Sequence, residues 1–159
     1  MRSIISTPSL KTLAVAREWL QSRLDDGVEC PCCDQYAKLY KRKLNSGMAR
    51  SLLWLVNSQN DPDQWIDVPS TAPRHVMRSR EFGKLAHWGL TESKSSEDTE
   101  RKCSGIWRPT KRGIQFVKRE IVVPSYAFIY NNQVVRFSSE SLTVMEALGE
   151  HFKYDELME

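Results

Sequence analysis

The sequence predicts an α+β chain, mostly helical, that closes on a β-hairpin and a short helix. Three observations predict it. From Leu10 to Trp88, apolar residues recur mainly at helical spacing. Gly89 then stops the helical pattern and short strand-like segments follow. Later, Asn131-Asn132 separates two apolar stretches, and that pair readily accepts the positive φ of a tight hairpin turn.

Thr7-Pro8 is a helix start, with Pro8 at a position where its missing N–H costs nothing. Leu10, Leu13, Ala16 or Arg17, Leu20 and Leu24 continue that helix, and Gly27 ends it. After Cys30-Pro31-Cys32-Cys33, Asp34 is expected to cap a second helix. Tyr36, Leu39, Tyr40 and Leu44 would form its apolar side, and Lys38, Lys41, Arg42 and Lys43 its basic side. Asn45-Ser46-Gly47 breaks or kinks the run, and Ala49, Leu52, Leu53 and Val56 form the stripe of a third helix. Asn57 to Pro69 reads as a loop anchored by Trp65-Ile66. Ser70-Thr71-Ala72-Pro73 caps a further helix that ends near Trp88, with Phe82, Leu85 and Ala86 on its packed side.

Leu90 to Lys94 and Gly105 to Arg108 are short strands around a polar loop from Ser95 to Arg101. Thr110 caps a short helix through Ile114, Phe116 and Val117. The hairpin spans Ile121 to Tyr130 and Gln133 to Phe137. Thr143 and Glu146 then make a capping-box pattern before a C-terminal helix. Residues 1–120 are expected to form the main domain, with residues 121–159 packed on it as an extension.

The 159 residues carry a net charge of only +3, but the charge is ordered along the chain. Gln35 to Asn60 holds five basic residues and no acid, and Arg101 to Arg119 holds seven basic residues and no acid. Pro69 to Thr91 adds Arg74, Arg78, Arg80 and Lys84 against Glu81. Acids punctuate these blocks and dominate the tail from Phe137. Such blocks suit either a solvated polar face or a phosphate-facing surface. No apolar run approaches the ~18 residues of a membrane span, so no membrane partner is expected. The opening residues lack a secretory leader pattern, and four Cys without framework spacing suit a reducing cytoplasm.

Lys84-Leu85-Ala86-His87-Trp88-Gly89-Leu90-Thr91-Glu92 resembles the end of a winged-helix recognition helix entering its wing. Arg108-Pro109-Thr110-Lys111-Arg112-Gly113-Ile114-Gln115-Phe116-Val117 is similar to the second wing strand and following helix of MarR-like repressors. The resemblance covers about residues 46–119. It departs from that family at Pro109, where an apolar strand residue is usual, and in lacking a long dimerisation helix after the wing. The whole chain also resembles small bacteriophage-encoded proteins of no assigned activity, which would place it in a host cytoplasm. What the winged helix-turn-helix resemblance implies is a DNA-binding regulator of transcription, with a homodimer among the arrangements left open.

On that reading Arg74, His75 and Arg78 enter the groove, because a recognition helix reads bases with its N-terminal half. Arg80, Lys84, Lys41, Arg42, Arg108, Lys111 and Arg112 complete the expected nucleic-acid-binding set, mostly as phosphate contacts. The loop tip carries Glu97, Asp98 and Glu100 beside Lys94, Arg101 and Lys102, which disfavours a deep minor-groove contact. Tyr36 and Tyr40 are expected in a core rather than as stacking platforms.

Cys30-x-x-Cys33 is half of a zinc knuckle, with Cys32 or Cys103 as further candidate ligands. Zinc is a candidate cofactor only if the fold supplies a full set of four. No metalloprotease motif, phosphate loop or nucleophile elbow is present, so no enzymatic activity is expected. Double-stranded DNA is the expected partner. The alternative is a module that binds and redirects a host protein, motivated by the acidic loop tip, the acidic tail and the added hairpin.

Overall fold

The computed structural model describes residues 12–79, 81–95, 105–150 and 152–158. Helix α1 (Leu13–Gln21) begins at Thr12, whose side chain accepts from the Val15 N–H, and buries Ala16 and Leu20. The expected cap at Thr7-Pro8 lies outside the described residues. Beyond α1, Gly27 adopts φ 82°. A Cβ there would lie 1.9 Å from the Tyr36 hydroxyl, so the tyrosine ring folds over a position only glycine can hold.

The second expected helix is absent. In its place are β1 (Val28–Glu29), β2 (Tyr36–Ala37) and β3 (Tyr40–Lys43). Strands β1 and β2 form a minimal antiparallel hairpin around the cysteine turn. Asp34 cannot cap a helix because its φ is 63°, in the left-handed region. Tyr36 and Tyr40, expected in a core, are 49% and 59% exposed. Only Leu39 and Leu44, at either end of β3, are buried. The segment takes its conformation from a partner strand far along the chain, and that pairing overrides local helical spacing.

Helix α2 (Ser46–Ser58) follows, with the Asn45 side chain accepting from the Met48 N–H and Met48, Ala49, Leu52, Leu53 and Leu55 buried. It is the central element of the core. Strand β4 (Ile66–Asp67) leads into α3 (Val68–Thr71), capped by Asp67. The single helix expected from Ser70 to Trp88 is divided. Pro73 holds Ala72 extended at ψ 137°, which ends α3 before α4 (Arg74–Ser79) begins. A 3₁₀ helix (Phe82–Trp88) completes the run, and Gly89 closes it at φ 70°.

Strands β5 (Thr91–Ser93) and β6 (Ile106–Pro109) pair antiparallel, and β4 adds to the other side of β6, giving the order β4-β6-β5. The acidic tip expected between β5 and β6 lies outside the described residues. Helix α5 (Lys111–Val117) starts at Thr110, whose hydroxyl accepts from the Gly113 N–H and donates to the Gly89 carbonyl. A Cβ on Gly113 would meet the Leu90 carbonyl oxygen at 2.1 Å, so glycine is what lets α5 sit against the strand entry.

The remaining chain contributes to the same core. Strand β7 (Val123–Pro124) pairs with β10 (Ser141–Leu142), while β8 (Tyr126–Tyr130) sits between β3 and β9 (Gln133–Phe137). Asn131 and Asn132, at φ 51° and 58°, make the β8–β9 turn. Helix α6 (Val144–Leu148) carries a complete Thr143–Glu146 capping box and packs on α2. Helix α7 (Tyr154–Leu157) is tied back by a hydrogen bond from the Tyr154 hydroxyl to the Val117 carbonyl (2.6 Å). Phe116, Val117, Val123, Ala127, Val144 and Leu148 share one apolar cluster with Leu44, Leu52, Leu85 and Leu90. A smaller cluster of Leu20, Leu24 and Leu39 holds α1 against β1–β2 and the far face of β8.

The chain is therefore α+β but not mostly helical, with 40% helix and 23% strand in four small sheets among the described residues. The excess helix in the sequence reading came from the β3 region and from joining α3, α4 and the 3₁₀ helix into one element.

Candidate functional site

In a 3₁₀ helix, residues three apart eclipse one another, so the seven residues from Phe82 form three rows. Phe82, Leu85 and Trp88 form the buried row. Trp88 is fixed further by donation from its Nε1 to the Pro124 carbonyl at 2.8 Å, and Phe82 meets Trp107 edge-on at 5.4 Å. Lys84 and His87 form the row that borders a groove. The 3₁₀ turn stacks these two side chains more directly than the i, i+3 positions of an α-helix would.

Strand β3 makes the opposite wall. Side chains alternate along a strand, so Tyr40 and Arg42 share the face of their cross-strand partners Ile129 and Ala127. Lys41 and Lys43 share the other face with Phe128 and Tyr126, and the Lys41 ammonium sits 4.2 Å over the Tyr126 ring. Lys41 and Arg42, expected side by side on a helix, thus project to opposite faces.

The groove between the two walls has a volume of about 420 Å³ and a floor that includes Met48, Trp88 and Ile129. Arg42 and Lys84 border it against one carboxylate among its described lining residues, Glu81, whereas Lys41 and Lys43 line it from a strand that directs their side chains to the other face. Glu81 lies 3.9 Å from Lys84, and a Cβ on Gly47 would sit 3.4 Å from its Oε2. The carboxylate therefore covers the first turn of α2, where the helix dipole favours a negative charge. Arg42 forms no ion pair among the described residues. His87 is held below its ordinary 6.5, first by burial and then by the positive charges of Arg42 and Lys84. Burial is the larger cause, and the two cations add to it.

The other expected contacts are distributed differently. Arg74 and Arg78 are exposed on α4, which packs against the 3₁₀ helix. His75 turns the other way, into a pocket with Arg50, Trp54, Asn57 and Leu157, and burial followed by Arg50 lowers its pKa. Arg80 lies outside the described residues. Lys111 is exposed, and the Arg112 Nε donates to the Trp88 carbonyl at 3.2 Å. Arg108 is committed to the fold. Its Nε meets Glu92 Oε1 at 2.6 Å, its Nη1 donates to the Asp63 carbonyl at 3.1 Å, and its guanidinium stacks 4.2 Å from the Trp65 ring.

His87 and Tyr40 were not among the residues picked from the sequence for this role. The signal for His87 was its three-residue spacing from Lys84, which puts the two on one face of any helix; what the sequence did not show was the β3 wall opposite.

The cysteine turn is a separate feature. Cys30 pairs across the β1–β2 hairpin end through donation from its N–H to the Gln35 carbonyl at 2.7 Å. Asp34 N–H closes the turn on the Cys30 carbonyl at 2.9 Å, and Cys32 N–H points at Cys30 Sγ from 3.4 Å. The backbone N–H groups of Cys32 and Cys33 lower the Cys30 thiol pKa, whereas the Cys32 thiol is raised. Cys32 and Cys33 are exposed. Among the described residues no group of three or more His, Cys, Asp or Glu is arranged to hold a metal ion, and Cys103 lies outside them.

No helix among the described residues is long and apolar enough to cross a membrane. No family model matches the chain, and neither does any curated protein or solved structure.

Proposed function

We propose that the chain binds double-stranded DNA through the groove between β3 and the 3₁₀ helix and acts as a regulator of transcription. The observation that carries this reading is the convergence of Arg42 with Lys84 and His87. Two stretches of sequence that are basic for no shared local reason meet across a groove with one carboxylate among its described lining residues, itself turned to a helix N-terminus. Arg42 and Lys84 contact phosphates, and the exposed Arg74 and Arg78 of α4 extend the surface toward the bases. The resemblance around Lys84 to Glu92 supports the same reading. So does the strand order β4-β6-β5, in which β5 and β6 pair antiparallel as the two strands of a wing do.

Binding of this kind releases counterions, so affinity falls steeply with salt. The test is a salt titration of the whole chain against labelled duplex, single-stranded DNA and structured RNA. Replacing Arg42 and Lys84 together by Ala is expected to weaken duplex binding about tenfold or more and reduce the salt slope by about 2. Both positions are peripheral to the core, so the thermal midpoint stays near that of the parent chain. Absence of duplex binding at low ionic strength refutes the reading. Stoichiometric capture of one host protein, unaffected by the double substitution, would favour the protein-interaction alternative instead.

A further inference from the structure

We propose that the groove between β3 and the 3₁₀ helix takes a single unpaired base of a DNA duplex and stacks it on the Tyr40 ring. The inference rests on the DNA-binding reading above and names what enters the groove. Its first support is Tyr40 itself. The residue borders the groove from the same strand face as Arg42, and 59% of it is exposed. It belongs to neither apolar cluster of the described residues. An open aromatic face beside cations is how proteins hold unpaired bases, because the base needs a π-surface and its phosphate a positive charge.

A second support is the size and floor of the groove. A space of about 420 Å³ is too small for a double helix to enter and ample for one planar base. Its floor residues Met48, Trp88 and Ile129 are buried, and Trp88 is pinned by its bond to the Pro124 carbonyl. The floor therefore stands before any ligand arrives. A phosphate gains nothing from an apolar floor, whereas a base does.

The third support is spacing. Tyr40 and Arg42 lie two residues apart on one face, about 7 Å along β3. That span matches the distance from a base to the phosphate of its own nucleotide, so one nucleotide engages both side chains. Lys84 stands on the opposite wall, within reach of the neighbouring phosphate. The amides of Asn45 and Asn132 border the same space and suit the edge of a base. The Asn45 Oδ1 accepts from the Met48 N–H at 2.9 Å, so this amide meets the base as a donor. Leaving the stack costs least for a base that is already unpaired, which makes a bulge the preferred target over a continuous duplex.

The experiment measures binding of the whole chain to three labelled duplexes by fluorescence anisotropy. One is fully paired, one carries a single bulged 2-aminopurine, and one carries an abasic bulge that keeps the bend without the base. The bulged base is expected to bind about tenfold tighter than the abasic bulge, with its own fluorescence quenched as it stacks. Tyr40→Leu is expected to remove that preference while changing paired-duplex affinity less than about twofold, and Tyr40→Phe to keep it. Tyr40 is exposed, so both variants hold the thermal midpoint of the parent chain. Equal binding of base and abasic bulges, or a preference that survives Tyr40→Leu, overturns the proposal and leaves the DNA-binding reading standing. Failure to bind any of the three duplexes refutes both. A free 2-aminopurine nucleotide that binds as tightly as the bulged duplex makes the groove a mononucleotide pocket and overturns the placement in DNA.

Discussion

Arg42 and Arg108 both project from short antiparallel strands in basic stretches of the chain, and they end in opposite circumstances. Arg108 has a carboxylate at 2.6 Å, a backbone carbonyl at 3.1 Å and an indole face at 4.2 Å, all drawn from segments it helps to hold together. Arg42 has no such partners among the described residues. Its neighbours across the groove are Lys84 and His87, whose pKa is lowered first by burial and then by these two cations. Equal formal charge therefore buys different things: a brace in the β4-β6-β5 region and an unspent positive field in the groove. A basic residue is a candidate phosphate contact only when its charge has not already been neutralised by the fold.

The brace can be tested first through its backbone. Gly113→Ala places a methyl group against the Leu90 carbonyl, where neither partner can rotate away, and should cost about 3 kcal/mol. The check is the midpoint of chemical denaturation, and parent-like stability would show that α5 does not depend on this close approach. The next effect is smaller. Arg108→Ala should lower stability by about 1–2 kcal/mol through lost charge-assisted and cation–π contacts, with duplex affinity changed less than about twofold. Glu92→Gln restores the uncompensated charge of Arg108 and should raise the salt slope of DNA binding by about 1. If Arg108→Ala weakens binding as much as the Arg42 and Lys84 double substitution, the contrast between the two regions collapses.

The smallest effect is a pH dependence. A bound phosphate favours the His87 imidazolium, so duplex binding takes up a proton and tightens as pH falls toward the lowered pKa of the free folded protein, by at most about tenfold per pH unit. Stability moves the other way in that window. The unfolded chain, with an ordinary histidine, protonates before the folded one, so folding is weakened as pH drops from 6.5 toward the depressed value. Fluorescence anisotropy on protein verified as folded at each pH separates the two. His87→Gln should flatten the binding profile, and an unchanged profile would remove His87 from the groove's chemistry.

What could be read in advance depended on how local the cause was. The Asn131-Asn132 turn, the Thr110 cap, the Thr143–Glu146 box and the Gly89 stop each rest on a few neighbouring residues, and each is present. Strand β3 was misread because Tyr36, Leu39, Tyr40 and Leu44 keep a helical rhythm that only a distant strand could overrule. The same error put Lys41 beside Arg42, and it hid the groove, since a helix there could not have paired with β8. Lys84 was picked from the sequence as a phosphate contact, without His87 beside it. Three-residue spacing puts them on one face of any helix, but the groove exists only because β3, a strand read as a helix, stands opposite.

The pairing of β3 with β8 also sets a timetable. Tyr40 meets Ile129 and Lys43 meets Tyr126, so an early strand waits while roughly 80 further residues are made before its partner begins. Until residues 126–130 leave the ribosome, β3 is an unpaired, cationic edge beside a nucleic-acid-rich machine. Its capture there competes with closing a long loop, a step that already slows folding of non-local sheets. Refolding of the full chain should therefore be the slow event, and a fragment ending before Tyr126 has no means of reaching the native groove.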